Sequence, residues 1–465
     1  MDKGIKAICS QLSDSQYSFT EADRRERATD WGTEEKKENY PDLVIWPTST
    51  EDVSNVLWMA NEHEVPVTPY AAGTSLESNP VPVNGGISLD LSDMDEIYDI
   101  RPEDLQIDVG PGCYGDSINE AVRKYGLFLP ALPSSGKIST IGGMIANDAS
   151  GMKTVKYGEV ADWLIEAEAV LPTGEVVTVG SKAVKTSSGY NLLDLLVGSE
   201  GTLAVITRLT LKLAGRPEQI WGGRASFETI DDAAAAISDA IQSGVDVAKI
   251  ELIDSLSVEI ANESLDTALP EVPQIFVEFH ANHSIEQEIE FCKAVFEPHG
   301  LCDFEVAERD KKMKQLWEAR RELADAVEPY DPELSPLTPG DVTVPIGSFP
   351  EIIQYIKAVS DEHDIMIPCF GHAGDGNIHY FVMVEPDDQE MVERGEKLSR
   401  QIVEKAIELG GTATGEHGVG TGKRKYLDSE YNQETVQAMQ SVKSSLDPNN
   451  ILNPGKVLPD NNRPS

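Results

Sequence analysis

The sequence predicts an α+β protein of more than one domain, and three observations carry that prediction. The first part opens as strand, helix, strand and glycine turn, then breaks into short runs of branched residues. From residue 216 the character changes, and helices alternate with strands beginning at "FETIDDAAAAISDAIQSGVDVAKIELID". At 465 residues the chain is also longer than one ordinary core supports.

The elements follow in order. Residues 1–40 are charged and carry helical patterning. The apolar run from Leu43 to Trp46, stopped by proline, predicts a strand. Ser49 and Thr50 cap a helix predicted to reach Glu62, and a second strand leads into the turn "AAGTS" at 71–75. The runs "GISLDL", "DLQIDVGPG", "LIEAEAVLPTGEVVTV" and "LAVITRLTLKL" read as strands punctuated by glycine and proline, giving a first domain over 1–215. A second domain over 216–425 takes in "PQIFVEFHAN" as a strand, "EQEIEFCKAVFEPHG" and "WEARRELADAV" as helices, and "NIHYFVMV" as a strand. The remainder, 426–465, contains the turn-rich "SLDPNNILNPGKVLP".

Composition removes whole classes of function. Eighty acidic residues against 38 basic give a formal charge of -42 and a pI near 4.4. Nucleic acid is excluded as a partner, because phosphate contacts need lysine and arginine. Acid spread this evenly points to a halophilic habitat, where a salty interior screens the self-repulsion. No apolar run is long enough for a transmembrane segment and the start lacks a signal-peptide core, so the expected location is cytoplasmic, including the inner face of a membrane. The cysteines, at 9, 113, 292, 302 and 369, contain no CxxC pair, which argues against an iron-sulfur cluster within this chain.

Two kinds of glycine-rich segment carry chemistry. "AAGTS" and "SSGKISTIGGMIANDASGMKTVKYG" at 134–158 let backbone amides converge on an anion, and no lysine or arginine lies between Glu62 and Arg101 to help. A dinucleotide suits such loops. Neither GxGxxG after a strand nor the phosphate-loop spacing is present, so both common nucleotide folds are disfavoured. The alternative is that these glycines serve only tight turns. In "GHAGDGNIH" at 371–379, His372 falls in a loop and His379 on the following strand, and Glu416 sits beside His417 in "TGEHGVGTGK". His372, His379 and Glu416 would make a two-histidine, one-carboxylate metal set with an open position. The alternative there is loop histidines with ordinary hydrogen bonds and a solvated carboxylate.

In order, "AAGTS", "STIGGMIANDASG", "SSGYNLLDLLVGSEGTLAVIT", "GHAGDGNIH", "GEHGVG" and "DPNNILNPGK" resemble the FAD-linked 2-hydroxy acid dehydrogenases. That family includes D-lactate dehydrogenase of the cytochrome type, the glycolate oxidase flavin subunit and D-2-hydroxyglutarate dehydrogenase. The resemblance spans nearly the whole chain. It implies a two-lobed FAD domain of the vanillyl-alcohol oxidase type, a ferredoxin-like substrate domain, and a last segment returning to the FAD domain. It implies that Ala72, Gly73, Thr74 and Ser75 bind the FAD pyrophosphate. Ser135, Thr140, Gly142, Gly143, Asn147, Ser150 and Gly151 would line the flavin, with Glu200, Gly201 and Ile206 beyond and Asn453 returning to it. Alanines at 71 and 72 and the pair Glu77, Ser78 depart from the usual pattern without removing backbone donors. No histidine or cysteine lies in that loop, so the FAD is expected to be noncovalent. In hydroxyglutarate-type members the equivalents of His372, His379 and Glu416 resemble zinc ligands, so zinc or another divalent metal is expected.

A 2-hydroxy acid is oxidised when a base takes the hydroxyl proton and hydride leaves the adjacent carbon. His417 is the expected base, since imidazole titrates near neutrality. Arg320 is the expected carboxylate clamp, by alignment from Trp317; the alternative is a surface ion pair with Glu318 or Glu322. Ala324 and Pro339, Gly340, Asp341 stand where hydroxyglutarate specialists carry polar and basic residues, which favours D-lactate or glycolate, although Lys423 could compensate. Electrons would pass to a separate acceptor, an iron-sulfur subunit, an electron-transfer flavoprotein or a quinone. Rival readings are D-2-hydroxyglutarate dehydrogenase, the flavin subunit of a multi-subunit glycolate oxidase, and a zinc hydrolase with merely structural glycines.

Overall fold

The computed structural model describes residues 3–33, 35–265, 267–308 and 311–459; the last six residues of the expected 426–465 segment lie outside the described residues. Contacts divide the chain into two compact units, Met1–Ser150 with Glu159–Arg216 and Glu416–Ser465, and Gly151–Gly158 with Pro217–Gly415.

The first unit has two lobes. In one, the parallel strands Leu43–Ile45, Ile87–Asp90 and Val67–Tyr70 are joined at one edge by Tyr17–Ser18. Helix Thr50–Glu62 covers them, starting where the Ser49 hydroxyl accepts from the Asp52 N–H at 3.1 Å. It turns Val53, Val56, Leu57 and Ala60 into a core shared with Ile451 and Leu452 of the last segment. The other lobe is an antiparallel sheet in the order Ile97–Arg101, Gln106–Val109, Val205–Lys212, Leu164–Val170, Val176–Gly180, with its own core around Ile107, Leu209 and Leu211.

The second unit is built on a seven-stranded antiparallel sheet. Its order is Leu301–Glu308, Gln219–Phe227, Gln274–Ala281, Lys249–Ile253, Cys369–Gly371, Asn377–Tyr380, Gly340–Thr343. Helices Ser255–Ser264 and Lys311–Val327 pack over the Phe276 and Ile253 side chains, and Trp317 meets Phe276 edge to face.

The unit border falls at the Gly415–Glu416 bond rather than after the expected 425, because the buried Glu200 carboxylate and the Glu77 backbone carbonyl of the first unit hold the next turn. Glu200 accepts from the N–H groups of Val419 and Gly420, and the Glu77 carbonyl accepts from the Thr421 N–H at 2.8 Å. Residues 151–158 leave the first stretch for the second unit, where the Tyr157 hydroxyl bonds His280 Nδ1 at 2.8 Å.

Candidate active site

In the first unit, the turn after strand Val67–Tyr70 has the form of an anion nest. The N–H groups of Ala72, Gly73, Thr74 and Ser75 donate to no acceptor among the described residues. Gly73 has a φ of +64°, and a side chain there would overlap the Tyr70 hydroxyl. The turn is held from its side chains instead, with Ser75 donating to Asp30 at 2.9 Å and Thr74 bonded to the Ser139 hydroxyl at 2.9 Å. Ser139 in turn donates to Ser135 at 2.8 Å, which ties the two glycine-rich segments together. Thr140 keeps a buried hydroxyl with no hydrogen-bond partner among the described residues. Unpaired amides beside an unpaired hydroxyl fit a polyphosphate cofactor that supplies acceptors.

The other expected flavin residues divide by what they hold. Gly142 donates its N–H to the Pro111 carbonyl, so it serves close packing, and Gly143 beside it is less crowded. Asn147 donates to the His417 carbonyl at 3.0 Å, and Ser150 donates to the Glu416 carboxylate at 3.2 Å, so the end of one segment fixes both residues of "GEHGVG". Gly151 begins the segment that belongs to the second unit. Glu200 is buried and bonded to Asn79 and to the turn above it, Gly201 packs its Cα against Pro69, and Ile206 lies in the sheet core. Asn453 donates to the carbonyls of Asn79 and Glu200, which anchors the last segment in this unit. Lys423, also buried, lies 3.8 Å from the Glu77 carboxylate.

In the second unit, charges converge on one end of the sheet. Glu251 is wholly buried on strand Lys249–Ile253. His372 follows strand Cys369–Gly371 and brings its Nδ1 to 2.8 Å from Glu251 Oε1. Arg320 is 6% exposed while its neighbour Arg321 faces outward, so the surface-pair alternative does not hold for it. Its Nη2 lies 2.7 Å from Glu251 Oε2, off the direction of a good N–H bond, and its guanidinium stacks 4.6 Å from the Phe370 ring centroid. Nε and Nη2 find no hydrogen-bond acceptor among the described residues. His379 stands edge-on to His372 with ring centroids 5.3 Å apart. Asp341, paired across the sheet with His379, accepts from Asn377 at 2.7 Å and from the Gly415 N–H at 2.8 Å. Burial alone would push the Glu251 carboxyl up; the charges of His372 and Arg320 reverse this and hold it below the usual carboxylate range.

Glu251, Asp341 and Asn377 did not emerge from the sequence patterns. A signal for the first was present: Lys249 and Glu251 alternate inside a run otherwise apolar and buried, placing two charges on one strand face.

Comparison with known proteins agrees with this arrangement. Residues 41–180 match the family described as FAD binding domain, and 216–457 match FAD linked oxidases, C-terminal domain. The chain is 37% identical over 425 residues to the mitochondrial D-lactate dehydrogenase [cytochrome] of Arabidopsis thaliana, covering 91% of this chain and 74% of that one. It is 36% identical to the glycolate oxidase subunit GlcD of Bacillus subtilis (strain 168), covering 90% of each. Among solved structures, p-cresol methylhydroxylase with substrate bound superposes with a TM-score of 0.79 at 16% identity, over 98% of this chain and 96% of that one. The 4-ethylphenol oxidase of Gulosibacter chungangensis gives 0.75 at 18% identity, over 99% and 98%. These last two establish the vanillyl-alcohol oxidase type of fold. The chain belongs to the FAD-linked oxidases and is an FAD-dependent oxidoreductase of the group that contains the D-lactate dehydrogenases and the glycolate oxidase flavin subunit.

Proposed function

We propose that this enzyme oxidises a small D-2-hydroxy acid, D-lactate or glycolate, to the 2-oxo acid. The observation that carries the reading is Arg320, a buried guanidinium that meets Glu251 through Nη2 at 2.7 Å while its Nε has no acceptor among the described residues. Leaving a charged donor buried without an acceptor costs several kcal/mol by the usual scale, on the order of 2–3 per group, so a ligand carboxylate is the natural partner.

The remaining roles follow from this chain's residues. The free amides at 72–75 and the Thr140 hydroxyl would hold FAD noncovalently, and FAD supplies the hydride acceptor. His372 and His379, with Glu416 as the carboxylate that the resemblance implies, would hold zinc or another divalent cation, and that ion would lower the pKa of the substrate hydroxyl. His372 fits as a ligand because its Nδ1 is directed at Glu251, which leaves Nε2 as the coordinating nitrogen. His417, its backbone held by Asn147, takes the hydroxyl proton.

The substrate is small on this reading because Lys423, the basic residue available for a second carboxylate, is engaged with Glu77. That disfavours D-2-hydroxyglutarate. The hydrolase alternative falls with the FAD-binding match. Relatives named as a cytochrome-type dehydrogenase and as a subunit support a separate electron acceptor, such as an iron-sulfur subunit, an electron-transfer flavoprotein or a quinone. No helix among the described residues is long and apolar enough to cross a membrane.

The test is a substrate panel of D-lactate, L-lactate, glycolate and D-2-hydroxyglutarate with an artificial acceptor in molar salt. The highest kcat/KM is expected for D-lactate or glycolate. A preference for D-2-hydroxyglutarate would overturn the proposal.

A further inference from the structure

We propose that Glu251 is a positioning residue whose one carboxylate sets both the metal-facing nitrogen of His372 and the carboxylate-facing edge of Arg320. This rests on the reading above and goes beyond it, since it makes substrate binding and metal binding share a support.

The geometry is specific. Glu251 is 0% exposed at the centre of strand Lys249–Ile253, paired with Phe276 of strand Gln274–Ala281, while the next two residues, Leu252 and Ile253, pair with strand Cys369–Gly371. Its oxygens lie 2.8 and 3.1 Å from His372 Nδ1, and Oε2 lies 2.7 Å from Arg320 Nη2. A carboxylate accepts at Nδ1 from the tautomer that leaves the Nε2 lone pair for a ligand, and it raises the basicity of that nitrogen. The same anion compensates a guanidinium that would otherwise be buried alone. Glutamine keeps one acceptor oxygen, which at the Oε2 position would reach both groups, but it loses the charge and puts its NH2 group at the Oε1 position against the imidazole N–H.

A neighbouring cluster gives the contrast. Glu278, on strand Gln274–Ala281 and 2% exposed, lies 3.1 Å from Lys249 Nζ and 2.8 Å from His280 Nε2. Neither of these two contacts involves the proposed ligands or the clamp. It is therefore a control for the general cost of putting an amide at a buried carboxylate position on this sheet face.

The experiment compares wild type, Glu251→Gln, Glu251→Asp and Glu278→Gln in molar salt. Zinc affinity is read by competition with a chromogenic chelator, and kcat and KM are measured separately for the best substrate of the panel. Glu251→Gln is expected to lose about 10- to 100-fold in zinc affinity, with KM rising by a larger factor than kcat falls. Glu251→Asp, which keeps both oxygens, should show a smaller loss, and it serves as the test where the glutamine variant fails to fold. Glu278→Gln should keep the wild-type zinc affinity and KM. Wild-type zinc affinity and KM in the Glu251 variants, or equal losses in Glu278→Gln, overturn the proposal alone. Wild-type protein that takes up no zinc overturns it together with the metal assignment above.

Discussion

The turn around Gly420 and the cluster around Arg320 are both buried and polar, yet the first surrounds its carboxylate with donors while the second leaves a buried cation with an unmet one. In the first unit, Glu200 accepts from the Val419 and Gly420 amides and from Asn79, and Asn453 ties the last segment to the Glu200 carbonyl. Burial pushes the Glu200 carboxyl up, and those donors offset part of the rise. In the second unit Glu251 is met by the Arg320 guanidinium and the His372 ring, but Arg320 Nε has no acceptor among the described residues. A carboxylate met by its donors holds a scaffold, whereas a buried cation with an unmet donor marks where a ligand completes the structure.

The comparison can be broken first at Gly420. Its φ is +48°, and a methyl group there would overlap the Glu77 carbonyl oxygen, which is backbone and has little room to move. Gly420→Ala is expected to destabilise the protein by about 3 kcal/mol and to release the flavin, read by thermal melting and by the absorbance retained after gel filtration. Gly347→Ala, at a site with nothing within 4 Å, should change neither.

Arg320→Ala comes next. It should raise KM by about 10²-fold, the loss of roughly 3 kcal/mol of charged hydrogen bonding, while flavin content stays at the wild-type level. An unchanged KM would remove Arg320 from the site.

The smallest effect tests an exception within the scaffold unit. Glu159 is pushed up to about 7, first by burial and then by Asp148 and Asp162 nearby. Its folded pKa therefore exceeds its unfolded value, so the stability it contributes is complete below pH 4.5 and lost as pH rises through 7. Wild type should melt at a lower temperature at pH 7.5 than at pH 5, and Glu159→Gln should flatten that slope. Partly exposed to solvent, the group is worth less than about 2 kcal/mol.

What the sequence made legible was local. The Ser49 cap and the helix to Glu62 follow from neighbours in the chain and stand where expected, and the strand expected over "NIHYFVMV" forms as Asn377–Tyr380 with a separate short strand at Met383–Val384. Arg320 was separable from Arg321 only by resemblance, although its position in the stripe Leu316, Trp317, Arg320, Leu323, Val327 already placed a charge on an apolar helix face. Asp341 was out of reach, because its pairing with His379 depends on strand register between distant segments. The Gly415–Glu416 border was equally hidden, since it depends on bonds from Glu77 and Glu200, hundreds of residues earlier.

The most direct measurement is the visible spectrum of the purified, FAD-reconstituted protein in molar salt, taken anaerobically before and after substrate. The account predicts flavin bands that bleach with D-lactate and persist with L-lactate. Bands that resist both lactates, glycolate and D-2-hydroxyglutarate, or no flavin bands after reconstitution, would contradict it.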